Sequence, residues 1–159
     1  MKYKLFLFVF LLGILILIAG CSNNDSNSIT GDSVVDNSNK VTIYKGISCG
    51  CCSLYVNYFK GKFDSQVNAV DVQDISSIKD KYNIPYKLQS CHTTIIGDYF
   101  VEGHVPIEAI NKLLQEKPDI LGIALPGMPS GAPGMPGSKE PFIIYGVNKD
   151  ESYVEFMRL

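Results

Sequence analysis

Three of the chain's five cysteines crowd into four positions, Cys49-Gly50-Cys51-Cys52, and this cluster sets the narrowest limits on what the chain can fold into. It falls where a β-forming run, Val41 to Tyr44 closed by Gly46, gives way to a helical pattern through Lys60. In that pattern Leu54, Tyr55, Tyr58 and Phe59 recur on one side. Sulfur at such a junction lies at a helix N-terminus, where free backbone N–H groups and the positive end of the helix dipole favour thiolate over thiol. The next cysteine, Cys91, is far along the chain, so any site that uses all four must be closed by folding.

The rest of the pattern says how folding would do so. Val67 to Val72 reads as a second strand, and Ile75, Ile78 and Tyr82, with Asp74 as a cap, give a short helix that stops before Pro85. Thr93 to Ile96 and Tyr99 to Val101, split by Gly97-Asp98, read as a hairpin. Pro106 opens a third helix whose buried face is Ile107, Ile110, Leu113 and Leu114, and Pro118 closes it. The resulting β-α-β-α-β-β-α order, with cysteines at the first strand–helix junction, is that of a thioredoxin-like α/β domain over residues 40–118. Residues 119–138 read as a loop, because Pro126 to Gly137 holds four prolines and four glycines. Phe142 to Val147 and Tyr153 to Met157 predict a C-terminal hairpin, within residues 139–159, docked on the domain.

The N-terminus carries Lys2 and Lys4, then an apolar run from Leu5 to Ala19. That run is shorter than the roughly 20 residues a spanning helix needs, and it ends in small residues, as a signal peptide does. Ile18-Ala19-Gly20-Cys21 resembles a lipobox, which implies removal of residues 1–20 and lipidation of Cys21; the alternative is an uncleaved anchor. Of the 18 residues from Ser22 to Asn39, 13 are Ser, Asn or Asp, so 21–39 reads as a disordered tether. The expected location is extracytoplasmic, with the domain anchored to a membrane. No second long apolar run follows, which argues against a multi-span protein. The net charge is −2, and Arg158 is the only arginine. Without a basic stripe to neutralise phosphates, a nucleic-acid partner is not expected. Neither a carboxylate pair nor a nucleotide loop is visible, so the chain does not read as an enzyme.

Three uses of Cys49, Cys51, Cys52 and Cys91 compete. A disulfide staple suits an oxidising compartment. However, adjacent cysteines disfavour a Cys51–Cys52 bridge, and only the pairing Cys49–Cys52 with Cys51–Cys91 avoids a vicinal or C-x-C bond. A redox couple would use Cys49 and Cys52 as a C-x-x-C pair, with Cys51 then a surplus thiol that invites mispairing. A soft metal ion explains the surplus best, since it collects sulfur ligands. Cys91-His92 precedes the hairpin and would meet the cluster, although strand alternation turns His92 away from Cys91 unless the segment is irregular. His104, alone in Gly103-His104-Val105-Pro106, reads first as a capping or packing residue and second as a ligand. Met128 and Met135 repeat in Pro-Gly-Met-Pro contexts as accessory thioethers suited to Cu(I), or as side chains that tuck the loop down. Cu(I) is the expected metal. Zinc is second, held by Cys49, Cys52, Cys91 and one histidine, but it leaves the methionines without a purpose.

Cys49-Gly50-Cys51-Cys52, Ser90-Cys91-His92-Thr93, Gly103-His104-Val105-Pro106 and Pro126-Gly127-Met128-Pro129, followed by Gly131, Pro133, Gly134 and Met135, occur in this order. Together they resemble the CopG-like family of cell-envelope copper-resistance proteins, over roughly Val41 to Met135. The resemblance implies a copper-linked, thioredoxin-like metal-binding domain with Cys49, Cys51, Cys52, Cys91 and His92 as the metal residues. A thiolate set that leaves one coordination position open to a partner's sulfur makes another copper-handling protein the expected partner of a Cu(I) sequestration or handover protein. Two departures stand out: Tyr55 where the family commonly has tryptophan, and Pro136 where an acidic residue is usual.

Overall fold

The computed structural model describes residues 40–63 and 66–159; the leader at 1–20, Cys21 and the tether at 21–39 lie outside the described residues. Among the described residues, seven strands form one mixed sheet. They are β1 Val41–Gly46, β2 Val67–Val72, β3 His92–Ile96, β4 Tyr99–Glu102, β5 Gly122–Ala124, β6 Ile143–Val147 and β7 Tyr153–Arg158, and their order across the sheet is β2-β1-β3-β4-β5-β6-β7. β1 runs parallel to β2 and antiparallel to β3, which puts the exit of β1 beside the entry of β3. Lys45 lies opposite His92, so the two cysteine-bearing segments meet at one edge of the molecule.

Among the described residues, three helices connect these strands: α1 Gly50–Lys60, α2 Ser76–Lys81 and α3 Ile107–Glu116. A 3-10 turn, Tyr86–Leu88, leads toward β3. The β-α-β-α-β-β-α order expected from the sequence is present. Alternation along β4 sends Val101 to one face and Phe100 to the other, and two cores follow from it. The larger joins Val41 and Ile43 to Tyr55, Val56 and Phe59 of α1 and to Ile110 and Leu113 of α3. The smaller packs Ile84 and Leu88 on Phe100, Ala124 and Val147. Among the described residues, no helix is long and apolar enough to cross a membrane.

Two expectations need correction. The buried stripe of α1 is Cys52, Tyr55, Val56 and Phe59, whereas Leu54 is 57% exposed. The first turn buries a cysteine, which rotates the face away from Leu54. The stretch at 119–138 is not all loop, because Gly122–Ala124 forms β5, parallel to β4 and antiparallel to β6. The C-terminal hairpin meets the domain through β6, which pairs with β5 and so extends the main sheet. Three residues are too few to show a period. Their leading glycine is needed because a Cβ at Gly122 would sit 2.2 Å from the Phe100 carbonyl oxygen.

Candidate metal centre

β1 ends at Gly46, and the Cys49 N–H donates to the Gly46 carbonyl at 3.1 Å, a turn that delivers Cys49 to the N-cap of α1. Cys51 and Cys52 follow in the first helical turn. Cys49 and Cys52 are joined in a disulfide with a Cα–Cα distance of 5.3 Å, while Cys51 and Cys91 are free thiols. The Cys51 sulfur lies 3.6 Å from that of Cys49. The sulfurs of Cys49, Cys51, Cys52 and Cys91 all lie within 4.8 Å of one another. Folding thus closes the gap between the cluster and Cys91. It does not leave three thiolates on the helix, because two of them are bonded to each other.

Cys91 also belongs to a second group. Its Sγ lies 3.2 Å from His104 Nε2 and 3.4 Å from His92 Nδ1, and these three residues again hold their donor atoms within 4.8 Å. Alternation does not turn His92 away, because β3 begins only at His92 and Cys91 sits in the bend before it. His104 is fully buried against Tyr55 and His92, as a packing residue would be, and its Nε2 also meets Cys91. Its sequence neighbours explain the placement. Gly103 has φ +80°, and a Cβ there would lie 2.6 Å from the Leu125 carbonyl and 2.9 Å from Ser90. Only glycine lets the chain turn that tightly between the ends of β3 and β5.

The second nitrogen of His104 fixes the ring. Nδ1 lies 2.7 Å from the Pro133 carbonyl oxygen, which can only accept, so Nδ1 carries the proton and Nε2 presents its lone pair to Cys91. Metal-binding histidines are typically oriented this way, with the distal N–H held by a carbonyl. Pro133 lies in the Pro/Gly loop, which is ordered by its own bonds, from Ala132 N–H to Pro129 O at 3.2 Å and from Met135 N–H to Ala132 O at 2.8 Å. Gly134 crosses α1 so closely that a Cβ would fall 2.8 Å from the Tyr55 backbone nitrogen. Met135 packs against the larger core, while Met128 is exposed. Tyr55 stands behind both imidazoles, its ring centroid 4.4 Å from His92 and 5.3 Å from His104, and its hydroxyl donates to the Val105 carbonyl at 2.8 Å.

Sequence reasoning missed a buried charged pair beside Cys91. Lys79 of α2 and Glu102 of β4 form an ion pair with both side chains withdrawn from solvent. Glu102 Oε1 also accepts the Ser90 backbone N–H at 2.6 Å, and Oε2 accepts the Thr93 hydroxyl at 2.6 Å. Lys79 adds a hydrogen bond to Thr93 Oγ1 at 3.3 Å. A lysine on a short helix and a glutamate at a strand end are ordinary surface residues in a sequence, and no local signal marks them as partners.

Burial dominates the titration of the site. It pushes the Cys91 thiol up to about 11, with nearby Cys51 adding to the rise. Burial holds His92 well below its usual value, helped by His104 and Lys79. Burial also lowers His104, against the Pro133 carbonyl, which favours the charged ring. Both imidazoles are neutral at pH 7 and have the charge state a metal ligand requires. In the metal-free protein the unfolded histidines take protons near pH 6.5 while the folded ones refuse them until lower pH. Their contribution to stability is therefore intact above about pH 6.5 and declines as pH falls toward the folded values. Denaturant midpoints measured from pH 8 to pH 5 should drop on the acid side, and His92→Gln should flatten that limb; an unchanged slope in the variant would count against the assignment.

The donor set suits a soft ion: two free thiols and two neutral imidazoles, joined by two further sulfurs once the disulfide is reduced, with Cys91 common to both groups. The comparisons agree with this chemistry. A family described as "Protein of unknown function, DUF411" matches residues 88–135. No curated protein matches the chain. Two solved structures of copper resistance protein CopG are similar to it. Form 2 is 31% identical with a TM-score of 0.70, over 76% of this chain and 98% of that one. Form 1 is 32% identical with a TM-score of 0.69, over 76% of this chain and 96% of that one. With identity and coverage at that level, and with the four cysteines brought together as that resemblance implies, this chain belongs to the CopG family of copper resistance proteins.

Proposed function

We propose that the chain binds Cu(I) as cargo at the cysteine cluster, in copper sequestration or handover, from a position outside the cytoplasm where a lipid on Cys21 anchors it. The observation that carries this reading is the convergence of Cys91 with Cys49, Cys51 and Cys52 on one side and with His92 and His104 on the other. Thiolates and imidazoles in so small a volume favour Cu(I), which accepts low coordination numbers and leaves a position for a partner's sulfur. Zinc is the second candidate, through Cys49, Cys52, Cys91 and one histidine. His104 joins His92 in the proposed ligand set, and Met128 is the accessible thioether. Because a disulfide withholds two donors, the copper-competent form is the one in which Cys49 and Cys52 are reduced.

Anaerobically reduced protein titrated with Cu(I) against a calibrated chelator should take up near-stoichiometric copper, and the disulfide form should bind less. Affinity no better than that of a small thiol would overturn the proposal. Elemental analysis of protein purified without added metal and without oxygen identifies the ion. Cys21→Ser should abolish the added lipid mass on the protein without changing its copper titration.

The Cys49–Cys52 disulfide supports a second reading, thiol–disulfide exchange. Cys51→Ser separates the two. Copper binding through the cluster predicts a sharp loss of affinity, whereas exchange predicts near-normal turnover of a disulfide substrate in Cys51→Ser and none in Cys49→Ser. A staple predicts only lost stability on reduction, although a loop this short constrains the unfolded chain little.

A further inference from the structure

We propose that the buried Glu102 carboxylate, held by Lys79, is a positioning residue for the metal site: it clamps residues 90–93 from both ends and so presets Cys91 against His92 and His104. The inference rests on the metal-binding reading above and deepens it. Glu102 is fully buried, and neither of its oxygens is idle. Oε1 takes the N–H of Ser90, the residue before Cys91, and Oε2 takes the hydroxyl of Thr93, the residue after His92. Cys91, common to both groups, and His92, of the second, are thus bracketed by one rigid acceptor. Gly103, next in sequence, donates its N–H to the His92 carbonyl at 3.0 Å, and His104 follows immediately. A single turn of chain, 102–104, therefore fixes Cys91, His92 and His104 relative to one another.

A buried ion pair is a poor way to gain stability, because removing two charges from water offsets most of their attraction. What it supplies here is an acceptor that cannot rotate away. The ammonium of Lys79 holds the carboxylate at Oε1, the same oxygen that takes the Ser90 N–H, and it reaches Thr93 Oγ1 as well. Outer groups of this kind typically change metal affinity by about 10- to 100-fold when removed.

The test uses paired substitutions, so that no buried charge is left alone. Lys79→Met with Glu102→Gln keeps an amide oxygen for Ser90 and a polar group for Thr93, whereas Lys79→Met with Glu102→Leu removes both. The Gln pair should retain Cu(I) affinity within about threefold, and the Leu pair should lose about 10- to 100-fold. In a Cys91→Ser background the difference between the two pairs should vanish, since the clamp acts through Cys91. Hydrogen exchange of the Ser90 amide in metal-free protein gives a readout independent of copper: protection should persist in the Gln pair and fall at least tenfold in the Leu pair, at a matched global stability. Equal affinities in the two pairs, equal Ser90 protection, or an unchanged difference without Cys91 would each overturn the inference. If the unsubstituted protein binds no copper, the metal reading falls and this inference falls with it; if it binds copper and both pairs bind as well, only the clamp is wrong.

Discussion

Cys91→Ser is expected to cost the protein more copper affinity than any other single cysteine substitution, beyond the roughly 10- to 100-fold typical of groups outside the ligand set. Its sulfur is the one donor common to the four-cysteine group and to the histidine group, so its removal severs one from the other. Serine's oxygen is a hard donor and does not replace it for a soft ion. The thiol's value of about 11 adds a second signature. At pH 7 the metal-free thiol keeps its proton, and ligation requires that proton to leave. Calorimetry of copper binding in buffers of different ionisation enthalpy should report proton release, smaller by about one proton in Cys91→Ser. Equal affinity and equal proton release in the variant would remove Cys91 from the site.

Lys79→Met should be the most damaging change to the fold outside the core. It leaves Glu102 buried with no counter-charge, and breaking a buried pair from one side costs about 3–5 kcal/mol. The loss depends on pH in a known direction. Burial already raises the Glu102 carboxyl, with Lys79 as the main opposing influence, so removing the lysine raises it further. A group with a folded value above its unfolded one stabilises at low pH, and that benefit is lost as pH rises through the folded value. The variant should therefore unfold at markedly lower denaturant at pH 8 than the parent, and the gap should narrow toward pH 5. Adding Glu102→Leu should recover most of the loss, since a well-filled apolar pair often matches a buried ion pair. A gap that is constant with pH would mean that the cost is one of shape and not of charge.

Much of this architecture is legible in the sequence, because the signals are local. The hydrophobic runs at Val41 and Val67 appear as strands at the expected residues, and Pro106 and Pro118 bound α3 as their chemistry requires. The meeting of Cys91 with the cluster follows from strand order alone. What the sequence hides is whatever depends on partners distant in the chain. β5 is three residues long and exists because β4 and β6 pair with it. His104 reads as a lone histidine until Gly103 turns it toward Cys91 and Pro133 fixes its ring. Lys79 and Glu102 carry no motif, and only the fold buries them together. The sequence pattern turns Leu54 inward with Tyr55, Tyr58 and Phe59, whereas the buried Cys52 shifts the face of α1 to Tyr55, Val56 and Phe59.

The carbonyl that orients His104 comes from Pro133, and the sulfurs come from residues near positions 50 and 91, so the atoms that would grip an ion are contributed by stretches scattered over most of the domain. A newly synthesised, still-extended copy offers the Cys49–Cys52 thiols without Cys91 or either imidazole beside them, and competes for copper as a short thiol peptide would. Loading must then wait for folding to finish, and a synthetic fragment copying the cysteine helix by itself would be a poor mimic of the whole.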